Sequence, residues 1–173
     1  MSSKISAHTH FLGSLRSVDG KGIVRLEDRF STDIDDLWLA LTVPDRLARW
    51  IGEVRGDLRR GGEFRALFFA SGWEGTGRVE VCEPPRRLLV VTTEAGESDE
   101  HVIEATLTAD GDQTILVIEE RGIPLNQLPA YGAGLQVHVE DLAAFLTGHE
   151  RCDAQERWAE LFPAYQDRAV DIG

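Results

Sequence analysis

The sequence predicts one α+β domain in which a curved antiparallel sheet wraps a long C-terminal helix and leaves a mostly apolar space between them. Three observations carry this expectation. Residues 53–121 break into strand-forming runs spaced 10–15 residues apart and separated by Gly, Pro and Asp turns, the mark of antiparallel neighbours and not of βαβ units. Residues 128–147 instead place apolar groups at helical spacing, at Leu128, Tyr131, Leu135, Val139, Leu142, Phe145 and Leu146. A length of 173 residues, 42% of them hydrophobic, suits a single core. A sheet with one apolar face must bury it, and the long helix is the only element large enough to do so. A strongly curved sheet around one helix leaves a gap, and small molecules bind in such gaps.

Taken in order, residues 1–9 are polar and expected to be flexible, residues 10–148 form the domain, and residues 149–173 form a helical extension. Asp19-Gly20 lies between two candidate strands and supplies the positive φ angles of a tight hairpin. Thr32 or Asp33 can cap a helix carrying Ile34, Leu37, Trp38 and Leu41. Pro44 ends that helix or opens a second one, which carries Leu47 and Trp50 and stops at Gly52. The pair is expected to plug one end of the sheet. Strands follow over EFRALFF, WEGTGRVEVC, RRLLVVTT, HVIEATLTA and DQTILVIEERG, each preceded by turn residues. After Gly122 and Pro124 comes the long helix, with Gly148 at its C-terminal stop, and then a last helix with Trp158, Leu161, Phe162 and Tyr165.

The formal net charge of −12 argues against nucleic acid or an anionic membrane as a general partner, because phosphate binding needs a basic surface. The first 15 residues lack the apolar core of a secretory signal. No apolar run approaches the roughly 20 residues of a membrane span. A cytoplasmic location follows as the expectation, with Cys82 and Cys152 as reduced thiols. The cysteines form no zinc pattern with the histidines, and neither a metal nor a cofactor is expected.

Four segments in order and spacing, DIDDLWLALTVPDRLARWIG (33–52), RRGGEFRA (59–66), GTGRVEVCEPPRRLLV (75–90) and YGAGLQVHVEDLAAFLTG (131–148), resemble the activator of heat-shock protein 90 ATPase-like (polyketide cyclase/START-like) branch of the START/SRPBCC superfamily. The resemblance spans roughly residues 22–148. It implies a helix-grip fold, a curved sheet gripping the C-terminal helix around an apolar cavity. It also implies binding of lipids, hormones, polyketides or other apolar molecules, with cyclase or hydratase activity in a few members. The family often opens the last helix with Gly-Trp, the indole entering the cavity. Here the pair is Gly134-Leu135, and the smaller side chain should enlarge or reshape the pocket.

Candidate residues follow from register and face. If Asp110-Gly111 is a two-residue turn, Ala109 faces Asp112, Ala105 faces Leu116, Ile103 faces Ile118 and His101 faces Glu120. The apolar pairs point inward, and His101 and Glu120 share that parity. The pair is either a carboxylate-oriented imidazole at the cavity mouth or, more simply, a solvated strand end. His138 either projects into the cavity or, as is commoner, sits half-exposed at the border of the apolar stripe. The expected ligand wall comprises Trp38, Phe64, Phe68, Trp73, Ile103 and Ile118 from the first part of the chain. The long helix adds Tyr131, Leu135, His138, Val139 and Leu142. Which face of the 63–69 strand lines the cavity stays open. The glycines of Glu74-Gly-Thr-Gly-Arg78 read as places where the sheet bends and not as a phosphate loop.

No serine stands in GxSxG, and no cysteine has a histidine partner by motif. His101, Glu120 and His138 are the only candidates for chemistry. Three functions remain open: binding of a small apolar or amphipathic molecule, an enzyme of the cyclase, aromatase or hydratase kind acting in the same cavity, and a chaperone ATPase regulator or other interaction module. A homodimer or a chaperone partner is compatible with the third.

Overall fold

A computed structural model describes residues 12–170 and 172. The expected flexible segment 1–9 lies outside them. Eight strands form one antiparallel sheet in the order β1-β2-β8-β7-β6-β5-β4-β3. They are β1 (Ser14–Val18), β2 (Lys21–Phe30), β3 (Gly52–Gly56), β4 (Glu63–Phe68), β5 (Glu74–Glu83), β6 (Arg87–Glu94), β7 (Glu100–Asp110) and β8 (Gln113–Pro124). Two short helices, α1 (Ile34–Thr42) and α2 (Pro44–Leu47), interrupt the strands, and α3 (Leu128–Leu146) and α4 (Ala154–Ala169) end the chain.

Local chemistry explains most boundaries. In the first hairpin Val18 pairs with Lys21, and Asp19 and Gly20 take φ values of 53° and 80° between them. Two successive positive φ angles are those of a type I′ turn, whose twist matches the strands it joins. Asp33 caps α1, its side chain accepting from the Asp36 N–H at 2.8 Å. Pro44 occupies the first turn of α2, which ends at Leu47 instead of carrying Trp50 on to Gly52; from the turn that follows, the indole N–H of Trp50 donates to the Ala40 carbonyl at 3.0 Å and ties this segment to α1. At the end of α3, the His149 N–H reaches the Ala144 carbonyl at 2.7 Å and the Gly148 N–H reaches that of Phe145 at 3.2 Å. This is the paired bonding of a Schellman stop.

Two expectations are corrected here. The strand β3 was not anticipated: GEVRG reads as polar, and as the terminal strand it pairs on one side only, with β4. The β7–β8 register also differs. Asp110 pairs with Gln113, so the turn residues are Gly111 and Asp112, with positive φ at Gly111 alone. That is the pattern of a type II′ turn, with Gly first, instead of an Asp-Gly type I′ turn. The pairing slides by two residues. Ile103 therefore faces Glu120, and Ala105 faces Ile118. A shift of two preserves which side chains point inward.

The helix α3 lies on the concave face of the sheet, and α4 covers its back. Leu161 and Tyr165 of α4 are buried against Ala133 and Val137 of α3. The ring of Tyr165 lies so close to Gly132 that a Cβ there would stand 2.7 Å from Cδ1. Its hydroxyl accepts from the Gly13 N–H at 2.7 Å and donates to Gln136 Oε1 at 2.6 Å, joining the chain start, α3 and α4. The fully buried Tyr165→Phe variant loses both bonds. The expected loss of stability is about 1–3 kcal/mol, read from urea denaturation with the slope unchanged.

Candidate functional site

Between the sheet and α3 lies a cavity of about 730 Å³. Each wall follows from side-chain periodicity. On α3 the residues Tyr131, Leu135, His138 and Leu142 recur at helical spacing and face it, with Val139 beside them. From β7 and β8 come Ile103, Ala105, Ile118 and Glu120. From β4 come Phe64, Ala66 and Phe68, which settles the open question of that strand's faces. Phe69, of opposite parity, is 41% exposed beneath the Arg151 guanidinium, 4.8 Å from its ring centre.

Trp38 does not reach the cavity. It is buried with Leu37 and Ala40 in the core cluster, and of the α1 residues only Leu41, one turn on, reaches the cavity wall. The cavity also takes in residues that sequence reasoning did not assign to it. Trp50 and Leu47 come from the segment after α1, Trp158 from α4, and Leu88, Val90, Thr92 and Glu94 from β6. The β6 run LLVVTT shows no alternation from which to read a face. Only its pairing, Val90 opposite Ile103, assigns one.

The Gly-x-Gly of β5 makes room for two aromatic rings. A Cβ at Gly77 would collide with the Phe64 ring, and one at Gly75 would stand 2.6 Å from Trp73 Cη2. Trp73 in turn stacks on Phe68 at 5.0 Å between ring centres, and Phe68 meets the His138 ring edge-on at 5.1 Å. One aromatic series thus runs from the β4–β5 turn to the middle of α3. Gly77→Ala is expected to displace Phe64 and cost about 1–3 kcal/mol, as overpacking does, measured by denaturant titration.

Polar groups are few and occupy two places. His101 and Glu120 are not a solvated strand end. Their side chains are 12% and 10% exposed, and His101 Nδ1 lies 3.0 Å from Glu120 Oε2. They are diagonal neighbours across β7 and β8, close enough for long side chains to meet. The interior of the sheet continues past them because Tyr131 covers the pair, its ring 5.1 Å from that of His101. The Tyr131 hydroxyl donates to Glu94 Oε1 at 3.5 Å. Burial, reinforced by the charges of Glu120 and Glu94, pushes its phenol up to about 12.

The second place is His138. It is buried instead of half-exposed, and its Nδ1 is occluded without a hydrogen-bond partner. Desolvation lowers its pKa to about 4, so the ring is neutral near pH 7. Orphaned acceptors are tolerated better than orphaned N–H groups. The favoured tautomer therefore leaves Nδ1 bare and carries the proton on Nε2. Cys82 and Cys152 are free thiols. Among the described residues, no cluster of three or more His, Cys, Asp or Glu side chains is arranged to hold a metal ion.

Residues 31–147 match the family described as "Activator of Hsp90 ATPase homolog 1-like protein". The chain belongs to this family, within the START/SRPBCC superfamily. Its fold is the helix grip. CalU16 from Micromonospora echinospora is 27% identical with a TM-score of 0.77, over 92% of this chain and 96% of that one. The likeness extends beyond the segment matched by the family. DynU16, described as a protein in the dynemicin biosynthetic locus, is 30% identical with a TM-score of 0.68, over 76% of this chain and 50% of that one. A conserved protein of unknown function from Enterococcus faecalis shares the fold at 18% identity, with a TM-score of 0.73 over 93% of this chain and 92% of that one. No curated protein matches. No described helix is long and apolar enough to cross a membrane.

Proposed function

We propose that this family member binds a small apolar or amphipathic molecule in the cavity between the sheet and α3. The void of about 730 Å³ carries the reading. It lies within the range of roughly 300–1,000 Å³ typical of small-molecule sites, and its wall has their composition, aromatic and aliphatic with a few placed polar groups. The likeness to DynU16 supports a ligand drawn from small-molecule biosynthesis.

The arrangement favours binding over catalysis. Tyr131 and His138 stand seven residues apart on α3, about 10 Å along its axis. The two polar places therefore address different parts of a ligand, and His138 stands apart from the polar groups gathered around Tyr131. A phenol held near 12 is a poor proton donor at neutral pH. A chaperone regulator would need a filled interior and an exposed apolar patch, and the hollow core argues against it.

Native mass spectrometry of protein purified without detergent tests the proposal. The expected spectrum has an added small-molecule mass that disappears on denaturation. A bare chain that also fails to take up neutral apolar probes would overturn it.

A further inference from the structure

The charge pattern of the wall has consequences for the class of ligand. Among the described residues lining the cavity there is no Lys or Arg, while Glu94 and Glu120 both reach it. Strand parity explains why. The arginines of the neighbouring strands point to the outer face and are engaged there. Arg121 bonds Glu104 and Glu119 at 3.0 Å each, and Arg78 bonds Glu80 and Glu100 at 2.9 Å each. At the mouth, Arg151 stands over the outward Phe69 ring and is not part of the wall. His138, the one imidazole on the wall, is kept neutral by desolvation. His101 is not on the wall and is engaged with Glu120, its Nδ1 3.0 Å from Oε2. Tyr131 stands between the two carboxylates, its hydroxyl donating to Glu94 Oε1 and its ring covering the His101–Glu120 pair, so both acidic groups gather at one end of the cavity.

We infer that the cavity selects uncharged or cationic amphiphiles and rejects anionic ones of the same shape, with Glu120 and Glu94 as the selecting groups. An anionic headgroup entering the site would lose its water, find no cation, and face carboxyl groups. Carboxylates such as free fatty acids, sulfonates and phosphate esters are therefore excluded. Hydroxylated, ketonic or amine-bearing apolar molecules are admitted. The inference rests on the cavity-binding reading and specifies its chemistry.

A matched pair of fluorescent probes tests it. N-phenyl-1-naphthylamine is neutral, and 8-anilino-1-naphthalenesulfonate is the same skeleton with a sulfonate. Both are titrated into the protein at pH 7. The cleft on the outer face lined by Arg55, Arg65 and Arg78 can hold the sulfonate. Sulfonate binding is therefore counted only to the extent that excess neutral probe displaces it. The neutral probe is expected to bind at least tenfold more tightly, and Glu120→Gln and Glu94→Gln are each expected to narrow the ratio at least threefold. Glu94 lies at an exposed strand end, so its variant remains informative if Glu120→Gln fails to fold. A ratio below tenfold overturns the charge selection and leaves the cavity reading intact. A tenfold ratio unmoved by either substitution overturns the assignment to these two side chains. Failure of both probes to bind overturns the cavity reading and the selection with it.

Discussion

Replacing Leu135 by tryptophan is expected to weaken binding of a neutral apolar probe by at least about tenfold, or roughly 1.4 kcal/mol, while the domain stays folded. Leu135 is partly buried and lies on the α3 face toward the void. Added ring atoms at this position extend into empty space, so stability should change by less than about 1 kcal/mol, short of the usual cost of overpacking. The resemblance implies that an indole commonly stands at this point in the family. Leu142 is the contrast. It lies on the same helix face two turns later but is 0% exposed, at the packed end of the cavity. The same substitution there is expected to destabilise by about 1–3 kcal/mol. Probe fluorescence and urea denaturation on the two variants separate the cases. Leu135→Trp binding as tightly as the parent would mean that the ligand does not occupy the space above α3.

How much of this was legible in the sequence depended on whether a signal was local. The Asp19-Gly20 turn, the Asp33 cap, the Gly148 stop and the helical spacing of Tyr131, Leu135, His138 and Leu142 are short-range patterns, and each names its structure directly. Positions that depend on pairing between strands were harder. Asp-Gly can fill both central places of a hairpin turn, as at 19–20, or place only its Gly there, as at 110–111. Nothing local distinguishes these, and the β7–β8 pairing slid by two residues in consequence. The inward parity survived, which is why His101 and Glu120 still meet. Their burial was not legible, because it comes from Tyr131 crossing over them from another element. The wall contributed by β6 was hidden for the same reason. Trp38 shows the converse: helical spacing marks a buried face without saying whether core or cavity lies beyond it. The second covering of α3 was written in Gly132 and Ala133, but their meaning depends on Tyr165 arriving from α4.

Lowering the pH from 7 to 4.5 is expected to remove about 2 kcal/mol of stability through His138 alone. The sign follows from the two states. Unfolded, the imidazole takes up its proton around its ordinary 6.5; folded, it resists until about 4 because burial penalises the charged ring. Above 6.5 neither state is protonated and His138 contributes no penalty. Between 6.5 and 4 only the unfolded state gains a proton, so the folded state loses ground steadily. Below 4 the loss levels off, at about 3 kcal/mol in all. Asp141, one turn further along α3, works in the opposite sense. Desolvation raises its carboxyl, so the folded state takes up a proton first and stability is gained as pH falls through that raised value. His138→Phe, which keeps an aromatic ring beside Phe68, removes the histidine's contribution and leaves that of Asp141. The stability of the parent minus that of His138→Phe, from urea titrations at pH 7, 5.5 and 4.5, isolates the imidazole. A difference that stays flat with pH would mean that water or an ion reaches the ring in the folded protein. His138 would then be charged in acid, and the cavity would carry a cation there that weakens its selection against anions.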